Sequence, residues 1–220
     1  MKNILITGAG GNLGKVTVEH FSGAGHQVFT VRSPRIPVRP EETNAYAVDL
    51  TDSIAAVEVV HEIVGKYGRL DAALLLAGGY EGGGPEAGPG ALERMIRLNA
   101  MTAWNIAAPA WQQMKRQGYG RLVFIGARLS IDPVAGKDHF AYAASKSLLF
   151  RFSEMLNADA GGSNLASAVL VPGTIDTASN RSWNPGADRS TWVTPEKMAE
   201  LMAELLEKPA EHARGRFDLF

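Results

Sequence analysis

The chain has 220 residues, 45% of them hydrophobic and 20% charged, with 22 Lys and Arg against 23 Asp and Glu and no cysteine. That length suits a single domain burying on the order of 70% of its unfolded surface without metal or disulfide staples, and the balanced charge offers no basic field for nucleic acid or anionic lipid. The missing thiol excludes cysteine nucleophiles and iron–sulfur ligation, no apolar run approaches the ~18 residues of a membrane span, and the expected location is cytoplasmic.

In chain order the sequence predicts a strand at 3–7, a Gly-rich turn, a helix at 13–24, strands at 27–32 and 45–49, and a helix at 53–67. A strand at 72–76, a long helix at 91–117, a strand at 121–125 and a helix at 140–160 follow. Strands at 167–171 and 216–219 flank a last helix at 195–207. Short aliphatic runs alternating with helical periods mark βαβ units, and strands this apolar are covered on both faces. The expectation is an α/β fold: a Rossmann-like doubly wound parallel sheet of about seven strands, helices on both faces, one domain over 1–220. Residues 32–43, 78–90 and 173–194 are rich in Pro and Gly and lack periodicity. Each follows the carboxyl end of a strand, where open α/β sheets bind ligands, so they read as loops of a site.

The turn Thr7-Gly8-Ala9-Gly10-Gly11-Asn12-Leu13-Gly14 lies between the first strand and the first helix. Its glycines let the backbone approach a pyrophosphate at a helix N-terminus; the bland alternative is a tight connection with no ligand. The second strand ends on Arg32, followed by Ser33, where an NAD-preferring fold usually offers an acid to the ribose. A guanidinium there suits a 2′-phosphate, or is simply a solvated charge. Asp49-Leu50 stands where an adenine would be held, and Asp49 equally suits the cap of the next helix. Tyr142 and Lys146 are one helical turn apart on one face, so the ammonium is expected to lower the phenol pKa from its ordinary ~10 and make Tyr142 a proton donor. Five histidines are scattered without ligand spacing or a carboxylate cluster, and no metal is expected.

Taken together, the Thr7–Gly14 turn, Asp49, Ala77-Gly78, Asn99, Tyr142 with Lys146, and Pro172-Gly173 through Thr177 resemble the short-chain dehydrogenase/reductase family over essentially the whole chain. The resemblance implies that Tyr142 protonates a carbonyl oxygen as hydride arrives, that Lys146 binds nicotinamide ribose and that Asn99 supports a water relay. It further implies cofactor contacts from Gly8, Gly10, Gly11, Asn12, Leu13, Gly14, Arg32, Ser33, Asp49, Leu50, Ala77, Gly78, Gly79, Pro172, Gly173, Thr174, Ile175 and Thr177. Two positions depart from the family. Leu129 stands thirteen residues before Tyr142, where a serine is usual, leaving Ser130 as the nearby hydroxyl, and Leu76 replaces an asparagine before Ala77-Gly78. Both departures are similar to the quinonoid dihydropteridine reductase branch, as are Leu76 through Gly83 and Gly126-Ala127-Arg128. Asn99 fits the broader family better than that branch, and Arg32 departs from the acid expected of an NADH enzyme.

These residues point to hydride transfer from NADP(H), favoured over NAD(H) by Arg32, to a carbonyl or quinonoid small molecule, a class that includes pterin-like rings. Tyr80, Ala127, Arg128, Ser130, Tyr142 and Trp183 are the candidate substrate residues; Tyr80 and Trp183 offer flat rings for stacking. The resemblance also implies a homodimer or homotetramer paired through the 91–117 and 140–160 helices. The rival expectation is a catalytically silent NADP(H)-binding regulator, for which a phenol paired with an ammonium would have no use.

Overall fold

The computed structural model describes residues 1–220 and contains one seven-stranded, all-parallel sheet in the order β3-β2-β1-β4-β5-β6-β7. The strands are β1 (Asn3–Thr7), β2 (Gln27–Arg32), β3 (Ala45–Ala47), β4 (Ala72–Leu75), β5 (Gly120–Ile125), β6 (Leu165–Pro172) and β7 (Gly215–Leu219). The order reverses direction between β1 and β4. Connections leaving the chain in opposite senses there open a crevice above the strand ends, where such sheets bind ligands.

The helices are α1 (Asn12–Gly23), α2 (Ser53–Tyr67), α3 (Gly88–Met95), α4 (Thr102–Gln117), α5 (Pro133–Gly136), α6 (Phe140–Ala160), α7 (Ala178–Trp183), α8 (Pro195–Glu207) and α9 (Ala210–Ala213). Alternating side chains of the central strands feed two separate cores. Leu5, Ala73, Leu75, Leu122 and Phe124 pack under α2, α4 and α6, whereas Ile4, Ile6, Leu74, Val123 and Leu170 pack with Phe21 of α1 and Met198 and Met202 of α8. Burial on both faces explains why β4, β5 and β6 show no polar alternation. No helix is long and apolar enough to cross a membrane.

The sequence reading of one long helix at 91–117 needs correction. Helix begins earlier, at Gly88, and a wide π turn at Ile96–Met101 separates α3 from α4. That turn inserts an extra residue per turn, which a period-based reading cannot distinguish from continuous helix, and it carries Asn99 inward to full burial. The third strand is shorter than expected because Asp49 folds back on Thr51: its Oδ1 accepts from the Thr51 amide at 2.9 Å and the Thr51 hydroxyl at 2.8 Å. Within the irregular 173–194 stretch the short α7 forms, capped by the Thr177 hydroxyl accepting from the Asn180 amide at 3.2 Å.

Candidate active site

The turn after β1 is shaped by contacts that only glycine permits at two positions. Gly8 has φ +66°, and a Cβ there would lie 2.8 Å from the Ala77 amide nitrogen; a Cβ on Gly14 would lie 2.2 Å from the Gly8 carbonyl oxygen. The Gly11 amide donates to the Gly8 carbonyl at 2.9 Å, and the Thr7 hydroxyl accepts from the Ala77 amide at 3.1 Å, tying the turn to the end of β4. Gly11 precedes α1 and supplies no side-chain cap, and no acid stands in the first turn. By contrast Asp52, Thr177 and Thr194 cap α2, α7 and α8. The start of α1 therefore presents amide donors without a side-chain partner to the crevice, the electrostatics an anion requires.

A cleft of about 780 Å³ runs over this turn, lined by Gly8, Gly10, Gly11, Arg32, Ser33, Asp49, Leu50, Ala77 and Gly78 of the expected cofactor residues. Asn12 and Leu13 form the first turn of α1, and Gly14 lies beneath the loop. Arg32 is mostly buried, and its Nε has no hydrogen-bond partner. A buried guanidinium N–H without an acceptor is costly, so the donor set fits an anionic group of a dinucleotide. One Arg32 nitrogen is already engaged: Nη2 donates to Glu42 at 2.5 Å. Glu42 also accepts from the Arg39 amide at 2.9 Å, and these bonds hold its carboxyl down at about 2. Glu42, Ile36 and Arg35 lie in the Pro-rich stretch, and the sequence reading gave Glu42 and Ile36 no role.

A second cavity of about 840 Å³ opens beyond the ends of β5 and β6. Tyr80, Ala127, Arg128, Tyr142 and Trp183 of the candidate substrate residues line it, with Pro172, Gly173, Thr174 and Ile175, which the resemblance gave to the cofactor. Leu129, noted above for standing where a serine is usual, lines it too, with His139, Asn180 and Phe220, which the sequence reading gave no role. Ser130 does not line it; its hydroxyl donates to the Ala127 carbonyl. Thr177 is likewise outside the lining and serves α7. His139 was legible in principle, since it precedes Tyr142 by three residues at the mouth of the same helix.

Lys146 joins the two spaces. It is 7% exposed, its Nζ donates to the Ile125 carbonyl at 2.8 Å, and a Cβ on Gly78 would lie 3.4 Å from it. Ile125 belongs to the cavity wall and Gly78 to the cleft wall, so the ammonium sits at their seam. Gly79 and Asn99 complete that seam. The Asn99 Oδ1 accepts from the Gly79 amide at 2.9 Å, and its Nδ2 donates to the Ser145 hydroxyl at 3.0 Å.

The expected lowering of the Tyr142 pKa is not found. Burial of the phenol, with Tyr80 beside it, pushes it up to about 12, and burial pulls Lys146 down to about 8. The reason is geometric. The ammonium is turned to Ile125, and desolvation outweighs any attraction it could exert on a phenolate. At neutral pH Tyr142 is thus a protonated phenol and Lys146 a cation. This arrangement can give a proton and hold a polar ligand.

Residues 2–188 match the family model described as short chain dehydrogenase. The chain belongs to that family of oxidoreductases. It is 32% identical to the cyclic-di-GMP-binding biofilm dispersal mediator protein of Escherichia coli K12, over 97% of this chain and 93% of that one. It is 25% identical to the dihydropteridine reductase of Dictyostelium discoideum, over 92% and 87%. Among solved structures, ElxO with NADP bound superposes with a TM-score of 0.82 at 20% identity, covering 99% of this chain and 96% of that one, which supports the fold.

Proposed function

We propose that this short-chain oxidoreductase reduces a carbonyl or quinonoid small molecule, a flat pterin-like ring being one such acceptor, with Tyr142 as proton donor. The observation that carries the reading is the placement of Tyr142 and Lys146: a protonated phenol in the cavity wall, one turn from an ammonium at the seam with the glycine-lined cleft. A reduced nicotinamide bound in the cleft supplies the hydride.

The chain's own residues supply the remainder. The free amides of α1 and the Gly8–Gly11 backbone hold phosphate oxygens. Lys146 orients the ribose nearest the seam, and Asn99 fixes the Gly79 backbone beside it. Tyr142 transfers its proton to the acceptor atom that gains charge, and solvent restores it. The rings of Tyr80 and Trp183 both line the cavity, centroids 6.4 Å apart and tilted by 52°, so each offers an aromatic surface against which a flat ligand can lie, in keeping with the name of the Dictyostelium relative. A preference for NADP(H) over NAD(H) is supported by the unpartnered Arg32 Nε, with Ser33 and Arg35 on the same wall. The reading includes one domain over 1–220 and a cytoplasmic homodimer or homotetramer paired through the 91–117 and 140–160 stretches, as the family resemblance implies.

The test is to follow NADPH and NADH absorbance with a quinonoid dihydropterin, an ortho-quinone and simple ketones. Turnover that disappears in Tyr142→Phe is the expected result. Tight cofactor binding with no turnover on any acceptor would replace the reductase reading with that of a silent binder.

A further inference from the structure

The cavity lacks the serine hydroxyl that commonly assists the tyrosine in this family. Leu129 occupies that position and contributes an apolar wall, and the neighbouring Ser130 hydroxyl is engaged by Ala127. A carbonyl oxygen gathering charge in a water-poor site gains from every donor aimed at it. Tyr142 is one such donor.

Tyr80 and His139 form a hydrogen-bonded pair in the same wall, with 2.8 Å between the phenol oxygen and Nδ1. The Tyr80 ring meets Tyr142 edge-on, centroids 5.1 Å apart, so the two phenols share one side of the cavity. Backbone bonds fix this arrangement. The Gly83 amide donates to the Asp138 carbonyl at 2.9 Å and the Phe140 amide donates to Gly83 at 2.8 Å, which clamps the Tyr80 loop to the start of α6. Tyr80 is 47% exposed and His139 lies beside it, so the pair is open to a ligand and is not core packing.

We propose that Tyr80, oriented by His139, is a second hydrogen-bond donor to the acceptor atom, performing the task for which the chain has no serine. This rests on the reductase reading above. In the His139 tautomer that carries its proton on Nδ1, the ring donates to the Tyr80 oxygen and the Tyr80 O–H is free to donate into the cavity. The bookkeeping of the step is simple. Hydride from the reduced nicotinamide brings the electron pair of the new C–H bond, the π pair of the C=O group moves onto oxygen, and that oxygen takes the Tyr142 proton. Tyr80 keeps its own proton throughout. Its hydrogen bond strengthens as the oxygen becomes negative, so it acts on the rate more than on binding.

The experiment compares wild type, Tyr80→Phe, His139→Asn and His139→Leu with NADPH on aryl ketones of graded electrophilicity and on an ortho-quinone. For Tyr80→Phe the expected result is a loss in kcat of about 10²-fold on the least activated ketone. That loss shrinks as the acceptor becomes more electrophilic, with NADPH affinity unchanged. His139→Leu should show most of the same loss, and His139→Asn, whose amide N–H donates in a similar direction, should recover much of it. Equal kcat for Tyr80→Phe and wild type on every ketone, or a rise in KM alone, would overturn this inference and leave the reductase reading in place. Absence of wild-type turnover on all acceptors, with NADPH bound, would overturn both.

Discussion

The cleft above β1 and the cavity above β5 and β6 share a seam at Lys146 but are built by different means. Backbone makes the first: glycines at 8, 11 and 14, an uncapped helix start, and amide bonds between the turn and β4. Side chains from three separate stretches make the second, Tyr80 after β4, Leu129 and His139 after β5, and Trp183 after β6. A backbone-built site tolerates little change at a few positions and recognises a shape common to many ligands. A side-chain-built site is free to change its ligand while the fold stays the same.

The largest expected effect falls on the cavity side. Tyr142→Phe removes the proposed proton donor and leaves the ring, so turnover should drop by roughly 10²–10⁴-fold with NADPH affinity intact. Stopped-flow reduction alongside a fluorescence titration of NADPH separates the two. A matching loss of cofactor binding would show that the two halves are not independent.

On the cleft side the counterpart is Gly14→Ala. Its methyl would lie 2.2 Å from the Gly8 carbonyl oxygen, and backbone on both sides cannot yield as a side chain would. The expected cost is about 1–3 kcal/mol in urea unfolding, with weakened binding of either dinucleotide. Gly23→Ala in the same helix meets nothing within 4 Å and is the control: unchanged binding there, and lost binding at Gly14, confirms that the cleft depends on this approach.

Lys146, at the seam, has an effect of opposite sign on stability and activity. Its folded pKa is about 8 against the usual 10.5, so below about 8 the folded chain carries a buried charge whose burial costs roughly 3 kcal/mol. Lys146→Met removes that cost but strips the Ile125 carbonyl of its donor, a loss of about 1–3 kcal/mol, leaving a net gain near 1 kcal/mol at neutral pH. The unfolded chain binds the extra proton between pH 8 and 10.5, so wild-type stability rises with pH across that window and the advantage of the variant fades. Urea melts of both proteins at neutral and alkaline pH read this directly. A gap that widens with pH would show that Lys146 is not the buried cation described. NADPH binding by the variant should be weakened throughout.

The same division explains what the sequence made legible. The parallel sheet, the glycine turn and the Tyr142–Lys146 spacing rest on local rules, periodicity and helix geometry, and all are found in the structure. The π turn at Ile96–Met101 and the bond between Tyr80 and His139 were not legible. The first mimics ordinary helical period over a few residues, and the second joins residues 59 positions apart through a loop clamp that composition does not encode. The Tyr142 pKa was misread for a related reason: spacing places the ammonium on the right face, but only the fold shows it turned to Ile125.

The smallest effect, and the one that most sharpens the comparison, concerns Glu42. Arg32 is the cleft residue whose role depends on a side-chain partner, so here the backbone-built half borrows the logic of the other. Glu42 takes one guanidinium nitrogen at 2.5 Å and leaves Nε unpartnered. On the proposed NADP(H) reading, a 2′-phosphate shares Arg32 with a carboxylate held charged down to about 2. Glu42→Gln removes the competing charge, keeps the shape, and should raise the ratio of NADPH to NADH affinity several-fold, an effect that added salt diminishes. Arg32→Asp should lower the same ratio. If Glu42→Gln instead weakens NADPH while sparing NADH, the carboxylate is positioning the guanidinium and not restraining it, and selectivity on this side is set by the Arg32–Glu42 pair as a unit.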